Sequence, residues 1–131
     1  MTLEEARQFF AGDVFATEAT GIVIEEVAEH YARCSLRLDR RHKNAVDQVM
    51  GGVLFTLADF AFAVAANHGG TMTVTSVSQI SFLSPVKGRA LQAECRLVKD
   101  GRRSCFYEVR ITDDRDTLVA LVSSNGIHLE K

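Results

Sequence analysis

The stretch GGVLFTLADFAFAVAANHGG, residues 51–70, limits what this chain can fold into more than any other. Between its two glycine pairs almost every residue is apolar, and one carboxylate, Asp59, interrupts the run. The pattern predicts a helix over residues 51–67, stopped by the glycines after Asn67-His68. A helix apolar nearly all round cannot lie on a surface, so most of its sides must be covered. An acid on such a helix is either paired with a buried arginine or a strand amide, or it is used in chemistry.

The rest of the chain reads as strands. Thr2 and Glu5 have the spacing of a capping box and predict a short helix over about 2–10, with Leu3, Ala6 and Phe10 on its apolar face. Strands are expected at Ile22–Val27 and Tyr31–Leu38, and 39–50 is a polar connection. After the long helix come Met72–Leu83, a strand through Leu91, Ala93, Cys95 and Leu97, one through Cys105, Tyr107, Val109 and Ile111, and Leu118–Leu129. Lys99-Asp100-Gly101-Arg102 signals a hairpin, and Asp113–Asp116 a turn. In Met72–Leu83, alternation places Thr75 on the more polar face with Thr73, Gln79 and Ser81, opposite Ser76 and Ser78. Consecutive hairpins favour an antiparallel sheet, and a curved sheet wrapped round the helix would cover most of it. The uncovered remainder asks for a partner, which suggests a dimer.

Composition narrows the function classes. A chain of 131 residues, 47 % apolar, can build the core of one domain, expected over 1–131. A net charge of -2 makes no electrostatic case for a nucleic-acid partner. The run Val53–Ala66, broken by Thr56 and Asp59, is shorter than the roughly 20 apolar residues a membrane span needs, and the acidic start is not a signal peptide. No membrane partner is therefore expected. Cys34, Cys95 and Cys105 form no CxxC pair and fall on predicted apolar strand faces, as free core thiols of a reducing, cytoplasmic protein would. His30, His42, His68 and His128 share no metal-ligand spacing and are read as surface or turn residues, so no metal or cofactor is expected.

The element order α-β-β-α-β-β-β-β, with Asn44 seven residues before Gly51, Asp59 eight after it, and Ile80-Ser81-Phe82-Leu83-Ser84-Pro85 closing a later strand, resembles the hotdog-fold acyl-CoA thioesterases. More closely, it is similar to the PaaI type of the 4-hydroxybenzoyl-CoA thioesterase superfamily. The resemblance covers about residues 15–129 and implies an α+β fold, a curved antiparallel sheet around a long central helix. The family usually has histidine directly before the glycine pair, where this chain has Met50.

The resemblance implies hydrolysis of an acyl- or aryl-acyl-CoA. A helix N-terminus carries free N–H groups and a positive dipole end, so Gly51 and Gly52 would polarise the thioester carbonyl. Asp59 would be general base or nucleophile. By resemblance, Asn44 orders the loop or contacts the carbonyl region, and Thr75 matches a hydroxyl that helps to hold water. Met50, Phe55, Phe60 and Phe62 are candidates for the acyl pocket, and Lys87, Arg89, Arg102 and Arg103 for the phosphates of coenzyme A. Eight residues of helix place Gly51 and Asp59 about 12 Å apart along the axis. If both act on one carbon, they come from different subunits. The implied site then requires a homodimer, with a tetramer of two dimers left open. The competing reading is a non-catalytic acyl-CoA-binding hotdog module. A hotdog dehydratase ranks below both, for want of a suitably placed histidine.

Overall fold

The computed structural model describes residues 1–69 and 72–129. Helix α1 is Leu3–Phe10, and its capping box is complete: Thr2 Oγ1 accepts from the Glu5 N–H at 3.2 Å, and the Glu5 carboxylate accepts from the Thr2 N–H at 2.9 Å. Six strands and one long helix follow: β1 Val23–Ala28, β2 Tyr31–Arg37, α2 Gly51–Asn67, β3 Thr73–Phe82, β4 Ala90–Asp100, β5 Ser104–Asp113 and β6 Leu118–His128. Two short elements were not anticipated, a π-helical turn at Phe15–Thr20 and a 3-10 turn at Arg40–His42. Of the expected stop signal for α2, Gly70 lies outside the described residues. His68 caps the helix, its N–H donating to the Val64 carbonyl at 3.0 Å. Among the described residues no helix is long and apolar enough to cross a membrane.

The sheet is antiparallel, in the order β1-β2-β4-β5-β6-β3. The expectation of consecutive hairpins after α2 fails at one place. β3 does not fold back on β4 but pairs with β6 at the far edge. The reason is local: Leu83 and Ser84 both donate to the Val119 carbonyl, at 2.8 and 3.2 Å, which carries the chain across β6. Pro85 then has no N–H to start a ladder.

Helix α2 fills the hollow of the sheet. Leu54, Leu57, Phe60, Phe62 and Val64 are buried with Leu36, Leu91, Val109, Ile111 and Val122. Each such side chain contributes about 1.5–3 kcal/mol by leaving water. Gly126 of β6 lets the helix in, because a Cβ there would stand 2.9 Å from Phe62 and 2.8 Å from Cys105 Sγ. The three cysteines are buried and free, as read, and burial pushes the Cys34 thiol up to about 12. One flank of α2 stays uncovered: Gly52, Thr56, Asp59, Ala63 and Ala66 are half or fully exposed.

The two edges of the sheet differ. β1 has six residues, a bulge between Ile24 and Glu26, and an Arg7 Nε that donates to the Ile24 carbonyl at 2.8 Å. Charge, irregularity and a side chain on the edge carbonyl all block pairing. β3 has ten residues and no charged one, and leaves Val74 and Val77 exposed.

The link between β3 and β4 is pinned by two carboxylates. Buried Asp113 accepts from the Lys87 and Gly88 amides at 2.8 and 3.0 Å, and from those of Arg115 and Thr117 at 3.0 and 2.9 Å. Asp114 accepts from the Arg89 and Ala90 amides. Burial alone would raise the Asp113 pKa, but the four amide bonds outweigh it and hold the carboxyl at about 2, down from 3.8. A depressed acid stabilises the fold above its unfolded pKa and loses that contribution as pH falls, here between about pH 4 and pH 2. The shift corresponds to about 2 kcal/mol. Asp113→Asn should therefore lower the urea-unfolding free energy by about 2 kcal/mol at pH 7, and the deficit should shrink toward pH 2. A constant deficit across that range would place the effect elsewhere.

Candidate active site

The N-terminus of α2 is delivered by a loop fastened from below. His42, read from sequence as a surface or turn residue, is only 2 % exposed. Its Nδ1 accepts from the Asp39 N–H at 3.0 Å and its Nε2 donates to the Thr20 carbonyl at 2.7 Å, a pattern met by the neutral ring protonated on Nε2. The His42 carbonyl in turn accepts from the Met50 N–H at 2.9 Å. His42 is thus the anchor of the loop; its Asp39 partner lies three residues back, but the Thr20 partner that buries it lies 22 back, outside any spacing rule. Asn44 is exposed, and its Oδ1 accepts from the Val46 and Gln48 amides at 3.0 and 3.1 Å. That is the loop-ordering half of the expectation for Asn44.

Met50 is the extended residue before the helix, exposed and without a side-chain cap. Among the described residues, neither the Gly51 nor the Gly52 amide has an acceptor, so two N–H groups stand open at the positive end of α2. The two glycines are there for different reasons. A Cβ on Gly51 would sit 2.9 Å from the Phe82 ring, whereas one on Gly52 would meet nothing within 4 Å. A side chain at Gly51 would have to move the exposed Phe82 ring. Gly52 keeps the amides open to whatever approaches from outside.

Asp59 lies two turns further on, exposed and, among the described residues, without a hydrogen bond or ion pair. The structural alternative, pairing with a buried arginine or a strand amide, finds no such partner. Desolvation by its surroundings, then the negative charge of Asp13, holds its carboxyl above the usual range. Asp13 comes from the segment after α1 and carried no sequence signal linking it to Asp59.

The aromatic candidates separate. Phe60 is buried against the edge of Phe10, with ring centroids 6.1 Å apart, and Phe62 against Tyr107 at 5.3 Å. Both are core side chains, and Phe55 alone of the three is half exposed. The face assigned to Thr75 needs correction. A bulge between Thr75 and Val77 inserts one residue into β3, so strict alternation breaks there. Thr75 pairs with inward-facing Gly126, and beyond the bulge Ser78, Ile80 and Phe82 pair with Ser124, Val122 and Ala120. Thr75 therefore shares the inner face with Thr73, Ser78 and Phe82, not with Gln79 and Ser81.

The four basic candidates lie at opposite ends of β4, whose 11 residues span about 35 Å. Beside Gly51 runs an apolar groove of about 490 Å³, lined by Val49, Leu54, Phe82, Leu83 and Val86. It continues through Gln48, Val49 and Val86 into a basic groove of about 470 Å³, with Arg40, Lys43, Lys87 and Arg89 beside Asp39 and Asp47. Arg102 and Arg103 line a separate cavity at the other end of the molecule.

The same arrangement occurs in known proteins. The thioesterase superfamily family model matches residues 48–120, which hold the loop end, α2 and most of β3–β6. The chain is 32 % identical over 119 residues to the acyl-coenzyme A thioesterase PaaI of Escherichia coli K12, covering 90 % of this chain and 84 % of that one. The structure of that E. coli PaaI protein superposes with a TM-score of 0.85 at 27 % identity, covering 98 % and 97 % of the two chains. A protein of Archaeoglobus fulgidus, named only as a candidate esterase, is 31 % identical over 75 % of this chain. This chain spans just 64 % of that protein's length. The wrapped-helix architecture is the hotdog fold.

The unequal glycines give a test of the open amides. Gly52→Ala should fold with unchanged or slightly higher stability, since alanine favours a helix by up to about 1 kcal/mol over glycine. Gly51→Ala must push the exposed Phe82 ring aside and should be less stable than Gly52→Ala. Thermal unfolding of the two variants side by side checks this. Equal Tm losses would mean that Gly52, too, is packed against its own chain.

Proposed function

The chain belongs to the thioesterase superfamily, a family of thioester hydrolases, and we propose that it hydrolyses an acyl- or aryl-acyl-CoA to the free acid and coenzyme A at a site shared by two subunits. One observation carries the reading. Two unpaired amides and one unpaired carboxylate of raised pKa stand on the same helix, about 12 Å apart, too far to meet at one carbon. Antiparallel α2 helices from two subunits would bring each Asp59 to the other's Gly51 and Gly52. The uncovered flank of α2 and the uncharged, unpaired edge of β3 are the surfaces such an assembly would cover.

The thioester oxygen accepts from the Gly51 and Gly52 amides, which stabilise the negative charge that grows on it. The carboxylate of Asp59 from the second subunit then acts in one of two ways. It removes a proton from a water that adds to the carbonyl carbon, or it adds to that carbon and forms an anhydride that water opens. In both, the carbon–sulfur bond breaks, coenzyme A leaves as thiolate and takes up a proton, and the acyl group leaves as the acid. Thr75, on the inner face, is the hydroxyl available to hold the water. The apolar groove past Leu54 and Phe82 suits the thiol-bearing arm of coenzyme A, and the basic groove at Lys87 and Arg89 suits its phosphates. Met50 and Phe55 remain the acyl-pocket candidates at the open surface. The relative named an acyl-coenzyme A thioesterase supports this substrate class.

Asp59→Asn should keep the oligomer and lower kcat at least about 100-fold. Mixing it with Gly52→Val should restore activity, since each hybrid dimer holds one site with both groups intact. Restoration absent in verified heterodimers would sink the shared site, and near-normal turnover by Asp59→Asn would sink the chemistry. The pH profile is a further check. The ionised form of Asp59 acts, so kcat/KM should fall as pH drops through a midpoint above the ordinary 3.8. A carboxyl whose pKa is raised on folding costs stability when ionised, so Asp59→Asn should also raise Tm at pH 7 and lose that advantage in acid.

A further inference from the structure

The mechanism above leaves one carboxylate beside the shared site without a role. Asp13 follows α1, and its N–H donates to the Phe10 carbonyl at 2.9 Å. The Phe10 ring packs edge-on against Phe60, the neighbour of Asp59, with centroids 6.1 Å apart. The π-helical turn at Phe15–Thr20 continues from there and packs against α2. Asp13 therefore lies at the level of Asp59, close enough for its negative charge to act there. Val14 and Phe15 follow it, and both are more than half exposed, at 53 % and 68 %. On α2, Phe55 and Ala63 stand one turn either side of Asp59 and share its face. Asp59 is thus flanked by apolar side chains on its own helix and on the segment after α1.

That segment is fixed before any ligand arrives. The Asp13 carbonyl accepts from the Thr17 N–H at 2.9 Å and from the Thr17 hydroxyl at 3.0 Å. At the other end of the turn, Arg41 Nη1 donates to the Glu18 and Ala19 carbonyls at 3.3 and 2.9 Å, and His42 holds the carbonyl of Thr20. The loop that delivers the Gly51 and Gly52 amides therefore also positions this turn. The cations of these segments are engaged: Arg41 faces Asp39 at 3.2 Å, and Arg7 faces Glu25 at 3.5 Å. Among the described residues the Asp13 carboxylate has no hydrogen bond and no ion pair.

We propose that Asp13, Val14 and Phe15 form the wall of the acyl site next to Asp59 and select uncharged acyl groups, with Asp13 turning away those that end in a carboxylate. The inference rests on the shared-site reading. There Asp59 stands at the carbonyl carbon, and the acyl chain leaves that carbon on the side away from sulfur, over the side chains around Asp59. The apolar wall takes an alkyl or aryl chain out of water. A carboxylate at the end of the chain would meet two acids, with the cations of the adjoining segments already paired. Like charges brought together are a means of rejecting a wrong partner.

The test reads binding, without turnover. S-hexyl-CoA and S-(5-carboxypentyl)-CoA are thioethers that cannot be hydrolysed, and they differ only in a terminal methyl or carboxylate. Calorimetric titration of the full chain at pH 7 should show at least tenfold tighter binding of the hexyl thioether. Asp13→Lys should narrow that ratio at least tenfold by strengthening the binding of the carboxylate, and Asp13→Asn should narrow it less. Glu108→Lys, the same charge change on the outer face of β5, should leave the ratio as it is. Phe15→Ala should weaken the hexyl thioether at least threefold. A ratio unmoved by Asp13→Lys, or moved equally by Glu108→Lys, overturns the role of Asp13. Unchanged hexyl binding in Phe15→Ala, or no binding of either thioether by the unaltered chain, overturns the wall. The thioesterase reading fails separately: a chain that binds the thioethers but releases no thiol from hexanoyl-CoA is not a hydrolase, and its binding ratios still decide the proposal.

Discussion

Burial of α2 is the interaction on which everything else depends. A helix apolar on nearly every side has few stable surroundings in water, and a sheet bent round it is the one this chain builds. The sheet reaches only part of the way. What it leaves open is a strip running from Gly52 through Asp59 to Ala66. The groups with unspent chemistry are therefore those that the packing did not need. Desolvation beside the packed helix, with the negative charge of Asp13, also holds the Asp59 carboxyl above the usual range.

Much of this was legible in the residues. The bounds of α2, the cap of α1, the strands and the buried thiols follow from periodicity, capping pairs and turn chemistry, which are local properties. What escaped was non-local. The bulge after Thr75 reversed the face of half a strand, and period-two reading has no means of seeing an inserted residue. His42 and His68 look like any polar histidine until strands far away in the chain close over them. The passage of β3 to the far edge was hidden because adjacency in sequence favours the hairpin. Within the candidate site, Gly51, Gly52 and Asp59 were readable by type and spacing. The proximity of Asp13 to Asp59 was not.

The loops that frame the helix entry are held by hydrogen bonds to four polar side chains, of which His42 and Asp113 are buried. His42 joins the 39–50 loop to the π-helical turn, Asn44 closes its tip, and Asp113 and Asp114 tie the β3–β4 link to the turn before β6. Hydrogen bonds are directional where apolar contacts are not, so such loops return to one geometry. Both grooves beside Gly51 have walls drawn from these tied segments.

The two sheet edges differ in how well they resist pairing with a foreign strand. β1 is defended by glutamates, a bulge and Arg7, whereas β3 offers ten uncharged residues rich in valine, serine and threonine. A lone folded chain thus exposes a template for indiscriminate strand addition, and the hazard grows with the time spent alone. The bulge in its middle discourages a foreign strand from docking along its full length. Loss of protein by this route rises with the concentration of chains whose β3 edge is unpaired, whatever the stability of the core.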